Sequence, residues 1–214
     1  MSRAPSLCAV ILAAGESTRM GTDKALLPWP PPAPGMPPTG ETFLSTAIRV
    51  FNRFNDLVIV VAGKNIANLA SAVYADGAFL VRNPAPERGQ FSSMQVGLQE
   101  VLNHGRDAAM ITLVDRPPVS ATTIETLRSA FEAAVSSEKW AVVPEYGGRH
   151  GHPFLVAREL IEIFLKAPPA ATARDVEHEN RSRIQYVPVD DPFVAMNVNT
   201  PQDYANLMST SIPG

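Results

Sequence analysis

The chain has 214 residues, a formal net charge of -3 at pH 7, 45% hydrophobic residues and a mean hydropathy near zero. That length suffices for one sizeable α/β domain with its own core, and the charge supplies no basic field for nucleic acid or anionic lipid. No apolar run reaches the roughly 18 residues of a membrane helix, and the segment before the first apolar run is too short for a secretory leader, so a cytoplasmic protein with neither membrane nor nucleic-acid partner is expected.

The first element is the apolar run Leu7 to Leu12, read as a buried strand. Cys8 lies inside it; the sole cysteine of the chain has no disulfide partner and reads as a core side chain. The strand ends in Leu12-Ala13-Ala14-Gly15, whose small residues would let a flat ring or a phosphate lie against bare backbone N–H groups. Arg19 and Lys24 follow, which makes the loop an anion cradle. It is not a P-loop, because five residues separate Gly15 from Gly21 and no Lys-Ser/Thr pair follows. It is not a dinucleotide fingerprint either, because the three-glycine spacing is missing. A tight strand-to-helix turn carrying solvated charges fits the spacing equally well.

Residues 29–40 hold six prolines and two glycines, which excludes helix and central strand. They read as an exposed, partly polyproline II surface insertion. A helix is expected over Glu41 to Asn55, capped by Thr42 or Thr39. A strand follows over Leu57 to Ala62, a helix over Lys64 to Tyr74 and a short strand over Ala78 to Val81. Strands alternating with helices predict a parallel sheet. The third strand runs into Asn83 and a loop holding Gly89, with Ser92 and Ser93 at a helix start where they offer hydroxyls and N–H groups to an anion or ribose. The next strand, Asp107 to Val114, delivers Asp115 to its C-terminal tip, where ligands of open α/β sheets sit and a triphosphate-bound metal would need a carboxylate. A simple turn contact for Asp115 is the competing reading.

A capped helix over Ser120 to Ser136 and a strand over Ala141 to Pro144 lead into a loop bearing His150 and His152. Two histidines at this spacing lack the further ligands a zinc site needs. A strand over Phe154 to Val156, helices from Arg158 and near Ala171 to Val176, and a strand over Ile184 to Val189 complete the pattern. Thr200 and Asp203 then form a capping box for a last helix, with Pro201 at its first position.

The stretch L-A-A-G-x-S-x-R-M-G-x-x-K-x-L-L-P, from Leu12 to Pro28, resembles the signature loop of the MobA-like nucleotidyltransferases, which include the molybdopterin cytidylyl- and guanylyltransferases. The resemblance extends over nearly the whole chain. It implies a three-layer Rossmann-like α/β fold with a mostly parallel sheet, of the nucleotide-diphospho-sugar transferase or GT-A-like type. It implies one nucleotidyltransferase domain over 1–214, with 29–40 as an insertion where the family has a short turn. It further implies that the loop from Leu12 through Ala13, Ala14 and Gly15 wraps a nucleoside triphosphate whose charge Arg19 and Lys24 neutralise. N-P-x-x-x-x-G-x-x-S-S, from Asn83 to Ser93, resembles the family's base-and-ribose loop, which implies nucleotide contacts for Asn83, Gly89, Ser92 and Ser93. V-D-x-P resembles its metal element and implies Mg²⁺ at Asp115. G-H-P-F-L-V resembles its acceptor loop, which implies acceptor contacts at His152 and, further on, at Arg174.

Asn197-Val198-Asn199-Thr200-Pro201 resembles the N-x-N-T-P of guanylyltransferases, and implies Asn197 and Asn199 beside the metal. The first loop is L-A-A-G, as in the cytidylyl branch, so the two motifs point to different bases. The resemblance implies transfer of a nucleotide, with CTP favoured, to a phosphorylated acceptor, with molybdopterin favoured, and release of pyrophosphate. It is compatible with transient contact with a molybdoenzyme or chaperone. The alternatives are a sugar-1-phosphate nucleotidyltransferase and a non-catalytic nucleotide-binding module.

Overall fold

Eight strands join one sheet in the order β3-β2-β1-β4-β7-β5-β6, with β8 paired to β5. The strands of this computed structural model are β1 (Leu7–Ala13), β2 (Leu57–Ala62), β3 (Phe79–Arg82), β4 (Ala108–Leu113), β5 (Ala141–Tyr146), β6 (Arg149–His150), β7 (Phe154–Ala157) and β8 (Ile184–Pro188). The structure describes residues 6–32 and 35–207. Residues 1–5, on which the short-leader reading rests, and Ala33 and Pro34 of the Pro-rich stretch lie outside the described residues.

The first four strands pair in parallel, β1 lying between β2 and β4. The strand β7 runs antiparallel to both β4 and β5, whereas β8 is parallel to β5. The sheet is thus the mostly parallel α/β sheet expected. All seven residues of β1 are buried, as a run of aliphatic side chains must be when both faces of a parallel sheet are covered. Its period of two splits those side chains between two cores. Ala9, Ile11 and Ala13 join the cluster under helices α1 (Phe43–Asn52), α2 (Ile66–Ala75) and α4 (Ala121–Ser136). Cys8, Val10 and Leu12 join the cluster under α3 (Gln90–Asn103), α5 (Arg158–Lys166) and α6 (Ala173–Glu179). The last helix is α7 (Pro201–Asn206). None of the helices among the described residues is long and apolar enough to cross a membrane.

Several expectations need correcting. The helix α1 begins at Phe43 because Thr42 is its N-cap, in a reciprocal capping box with Ser45, which leaves Glu41 outside. The strand β3 runs to Arg82 and is a half-exposed edge strand. Residues Glu145 to His150 form a β5–β6 hairpin rather than a plain loop, turned by Gly147 and Gly148, both with positive φ. The Pro-rich stretch is not wholly exposed either. Trp29 is buried, edge-on against Phe43 and Phe193, because an indole beside prolines is still the largest apolar surface in the segment.

The sheet order sets the position of any ligand. After β1 the chain moves outward to β2 and β3, then returns to the other side of β1 as β4. The crevice at this reversal, beyond the C-terminal ends of β1 and β4, is where open α/β sheets bind ligands.

Candidate active site

A cavity of about 230 Å³ occupies that crevice. The first loop enters it with Leu12, Ala14, Gly15, Ser17 and Lys24, the segment before α3 with Pro86, Gly89, Gln90 and Ser93, and the end of β4 with Leu113, Val114 and Asp115.

The loop is held from below by a side chain that the sequence reading missed. The Asn65 side-chain oxygen accepts from the Gly63 N–H at 3.0 Å, while its amide donates to the Ala13 carbonyl at 3.0 Å and to Asp23 Oδ2 at 2.7 Å. One amide thereby ties the two ends of the signature loop to the end of β2. An Asn two residues beyond a strand-ending glycine is a turn signal that could have found it. Gly63 has to be glycine, since a Cβ there would lie 2.7 Å from the Ala14 carbonyl oxygen and 3.3 Å from Pro86. Within the loop, Ser17 has φ of 51°, and its hydroxyl accepts from the Lys24 N–H at 3.1 Å. Asp23 caps the short turn Lys24–Leu26.

This scaffolding fixes Lys24, which is only 9% exposed. Its Nζ donates to Asn199 Oδ1 at 2.9 Å and to Asp115 Oδ2 at 3.4 Å. Asp115 itself is anchored by its backbone carbonyl, which accepts from the Val198 N–H at 2.8 Å. Its Oδ1 is buried and has no hydrogen-bond partner among the described residues. An orphaned carboxylate oxygen costs free energy unless a ligand satisfies it. Among the described residues no three His, Cys, Asp or Glu side chains cluster to hold a metal. One carboxylate with a nearby amide oxygen fits Mg²⁺ only where substrate phosphates and water complete the shell, which is that ion's usual habit.

The predicted site residues divide accordingly. Leu12, Ala14, Gly15, Lys24, Gly89, Ser93 and Asp115 line the cavity, and Asn199 meets Lys24. Ala13 does not line it: the alternation of β1 turns its methyl into the core. Asn83 and Ser92 are also buried behind the wall. The Asn83 amide donates to both serine hydroxyls, at 2.9 and 3.0 Å, and its oxygen accepts from the Ala85 N–H. The three brace the turn, because α3 starts at Gln90 with Gly89 as its N-cap rather than at the serines. Arg19 is exposed and lines neither this cavity nor the next. Asn197 lines a second cavity rather than this one.

That second cavity holds about 710 Å³, and Leu12, Gln90 and Leu113 border both spaces. It contains the expected acceptor residues His152 and Arg174, together with Arg116, Arg149 and Glu177. His152 is not the cation that an anionic acceptor would call for. Burial, reinforced by the charge of Arg116, pushes its imidazole down to about 3, and its Nδ1 has no hydrogen-bond partner among the described residues. His150, at the rim, stacks on Tyr186 at 4.0 Å between Glu145 and Glu177.

A small-residue loop, a buried lysine and a strand-tip carboxylate at the switch point of this sheet define a nucleotide-binding α/β protein. Comparison with known sequences narrows that class. The MobA-like NTP transferase domain matches residues 9–193, and the chain belongs to this family. It is 29% identical over 206 residues to a probable molybdenum cofactor guanylyltransferase of Rhodopirellula baltica, covering 93% of this chain and 90% of that one. It is 24% identical over 201 residues to the molybdenum cofactor cytidylyltransferase of Escherichia coli, covering 91% and 92%. The crystal structure of Rv0371c from Mycobacterium tuberculosis superposes with a TM-score of 0.78 at 26% identity, covering 98% of this chain and all of that one. The same protein has been solved in complex with manganese, with a TM-score of 0.74 at 23% identity over 96% and 100% of the two chains. The chain is therefore a nucleotidyltransferase resembling the molybdenum cofactor guanylyl- and cytidylyltransferases, with the nucleotide-diphospho-sugar transferase fold.

Proposed function

We propose that the chain transfers a cytidylyl group from CTP to the phosphate of molybdopterin and releases pyrophosphate. The observation that carries this reading is the pair of adjoining cavities. One is a narrow crevice between the small-residue loop and the Lys24–Asp115 pair. The other is a larger chamber lined by arginines and apolar side chains, sharing its wall with the first. A donor and an acceptor seated in them would meet beside Asp115.

The acceptor phosphate oxygen forms a bond to the α-phosphorus as the bond from that phosphorus to the bridging oxygen breaks, and the electron pair leaves with pyrophosphate. A phosphate is already anionic near neutral pH, so the protein supplies no general base. Its work is positioning and charge neutralisation. Lys24 holds the triphosphate and the charge that develops on the leaving group, and Ser93, Gly89 and Ala14 border the nucleoside. Arg19, exposed on the same loop, would add its charge to that of Lys24 on the triphosphate. Asp115, with Asn199 or Asn197, would hold a divalent ion, Mg²⁺ by this reading; manganese is found in the Rv0371c complex. When bound, such an ion acts as a Lewis acid on the phosphate oxygens.

The choice of CTP rests on Leu12-Ala13-Ala14-Gly15, which resembles the cytidylyl branch and whose Ala14 lines the crevice. GTP is the second reading, favoured by Asn197-Val198-Asn199-Thr200-Pro201 and by the Rhodopirellula guanylyltransferase. Pyrophosphate release, measured with CTP, GTP, ATP and UTP against molybdopterin and a panel of sugar 1-phosphates, decides between them. The reading predicts release with CTP and the pterin. Release with GTP alone replaces the base, and release with a sugar phosphate overturns the acceptor.

A further inference from the structure

We infer that Arg116, with Arg149 beside it, is the anchor that grips the phosphate monoester of the acceptor in the second cavity. This rests on the reading of that cavity as the acceptor chamber and names the group that selects its occupant.

The first argument is unmatched charge. Three arginines line the cavity, Arg116, Arg149 and Arg174, against a single carboxylate, Glu177. Glu177 is already engaged, since its Oε1 accepts from the Tyr186 hydroxyl at 3.3 Å and lies 3.9 Å from His150 Nδ1. Among the described residues, no ion pair is made by any of the three arginines. Arg149 and Arg174 are exposed and solvated, whereas Arg116 is half-buried, and a half-enclosed cation with no ion pair marks a place where an anion would be stabilised. His152 adds no charge of its own, so recognition of an anion falls to the arginines.

The second argument is how rigidly Arg116 is placed. Its Nη1 donates to the Val194 carbonyl at 2.8 Å and to the Met196 carbonyl at 3.4 Å, while its buried Nε has no hydrogen-bond partner among the described residues. The Val194 carbonyl also accepts from the His152 N–H at 2.9 Å. It lies so close to Gly151 that a Cβ there would be 2.1 Å away. One carbonyl thus locks the guanidinium against the β6–β7 loop. The recorded partners all sit on one nitrogen, which leaves part of a planar fork suited to phosphate oxygens. A donor fixed before binding loses little entropy on binding.

The third argument is position. Arg116 directly follows Asp115, so an ester held by its guanidinium lies next to the donor crevice. The remaining walls, among them Met94, Ile111, Phe154 and Phe164, are apolar. The occupant's class is therefore a phosphate monoester on a body with substantial apolar surface, which the pterin of the proposed function supplies.

The test measures binding of molybdopterin and of its dephosphorylated form to the purified full chain by pterin fluorescence. It compares the wild type with Arg116→Gln, which removes the charge and keeps a polar side chain, and with Arg116→Lys and Arg149→Gln. CTP affinity reports that each variant is folded. The inference predicts that Arg116→Gln weakens the phosphorylated pterin about 10- to 100-fold and the dephosphorylated one less than about twofold, with Arg149→Gln showing the same selectivity. Equal losses for both pterins, or no loss, would make Arg116 a mere brace and overturn the anchor while leaving the acceptor reading intact. If wild type binds no pterin, direct binding of inorganic phosphate to the CTP-loaded chain, read by titration calorimetry, takes over. Phosphate binding lost in Arg116→Gln then keeps the anchor and sinks molybdopterin as the acceptor; phosphate binding unchanged sinks the anchor. Should Arg116→Gln lose CTP binding, Arg116→Lys and Arg149→Gln decide by the same ratio.

Discussion

Lys24 joins three distant parts of the chain: the first loop, the tip of β4 through Asp115, and the segment before α7 through Asn199. Its position depends on Asn65, Ser17 and Asp23, so the residue that touches the nucleotide in our reading is the visible end of a buried hydrogen-bonded frame. His152 shows how the same surroundings act on a titratable group. Its pKa falls from 6.5 to about 3, first through burial and then through Arg116. Between those values the unfolded chain binds a proton that the folded chain refuses, so stability declines as pH drops through that window. The loss at pH 5 should be about 2 kcal/mol from this group. Urea midpoints taken near pH 7 and pH 5 check it, the expectation being a smaller loss for His152→Gln than for wild type. Equal losses would mean the imidazole is protonated freely in the fold. At this scale the sequence disclosed which residue types matter but not their orientation. Asn83 and Ser92 stand in the right motif and turn inward to brace a loop. Asn65 and Arg116 drew no attention because their roles depend on carbonyls distant in sequence.

Among the elements, α3 links packing to binding. It crosses β1 and β2 at Gly97, where an added Cβ would lie 2.5 Å from Val10 Cγ1 and 3.0 Å from Val61 Cγ2. Its first turn carries Gln90 and Ser93 into the donor cavity. Gly97→Ala gains about 1 kcal/mol of helix propensity but forces the helix off the sheet, at a cost of about 1–3 kcal/mol. We predict a lower urea midpoint together with weaker nucleotide binding, read by titration calorimetry. An unchanged midpoint would show that α3 has room to spare. Element positions were largely legible, because β1, β2 and β4 are unbroken aliphatic runs and the helices begin at real capping residues such as Thr42, Ser120 and Thr200. The β5–β6 hairpin was not legible, since only two residues of β6 pair and no apolar alternation marks them. The burial of Trp29 was hidden by its proline neighbours.

For the molecule as a whole, the sheet order places two cavities side by side, one at the reversal between β1 and β4 and one spreading over β4, β7 and β5. That arrangement follows from topology, since β7 enters antiparallel beside β4 and brings the Gly151–His152 loop to the strand tips. The family pattern disclosed the fold, and the first loop could be picked out because its residues are contiguous. The second cavity draws on segments from Leu12 to Asn197, so most of its wall has no contiguous motif.

The central claim is that the Lys24–Asp115 pair drives nucleotidyl transfer. Single-turnover pyrophosphate release, with saturating CTP, divalent metal and molybdopterin, tests it by comparing wild type with Lys24→Ala and Asp115→Asn. The account predicts a fall in rate of at least about a hundredfold in each variant, with unfolding midpoints near that of wild type. Rates within about threefold of wild type in both variants, from folded protein, would contradict it.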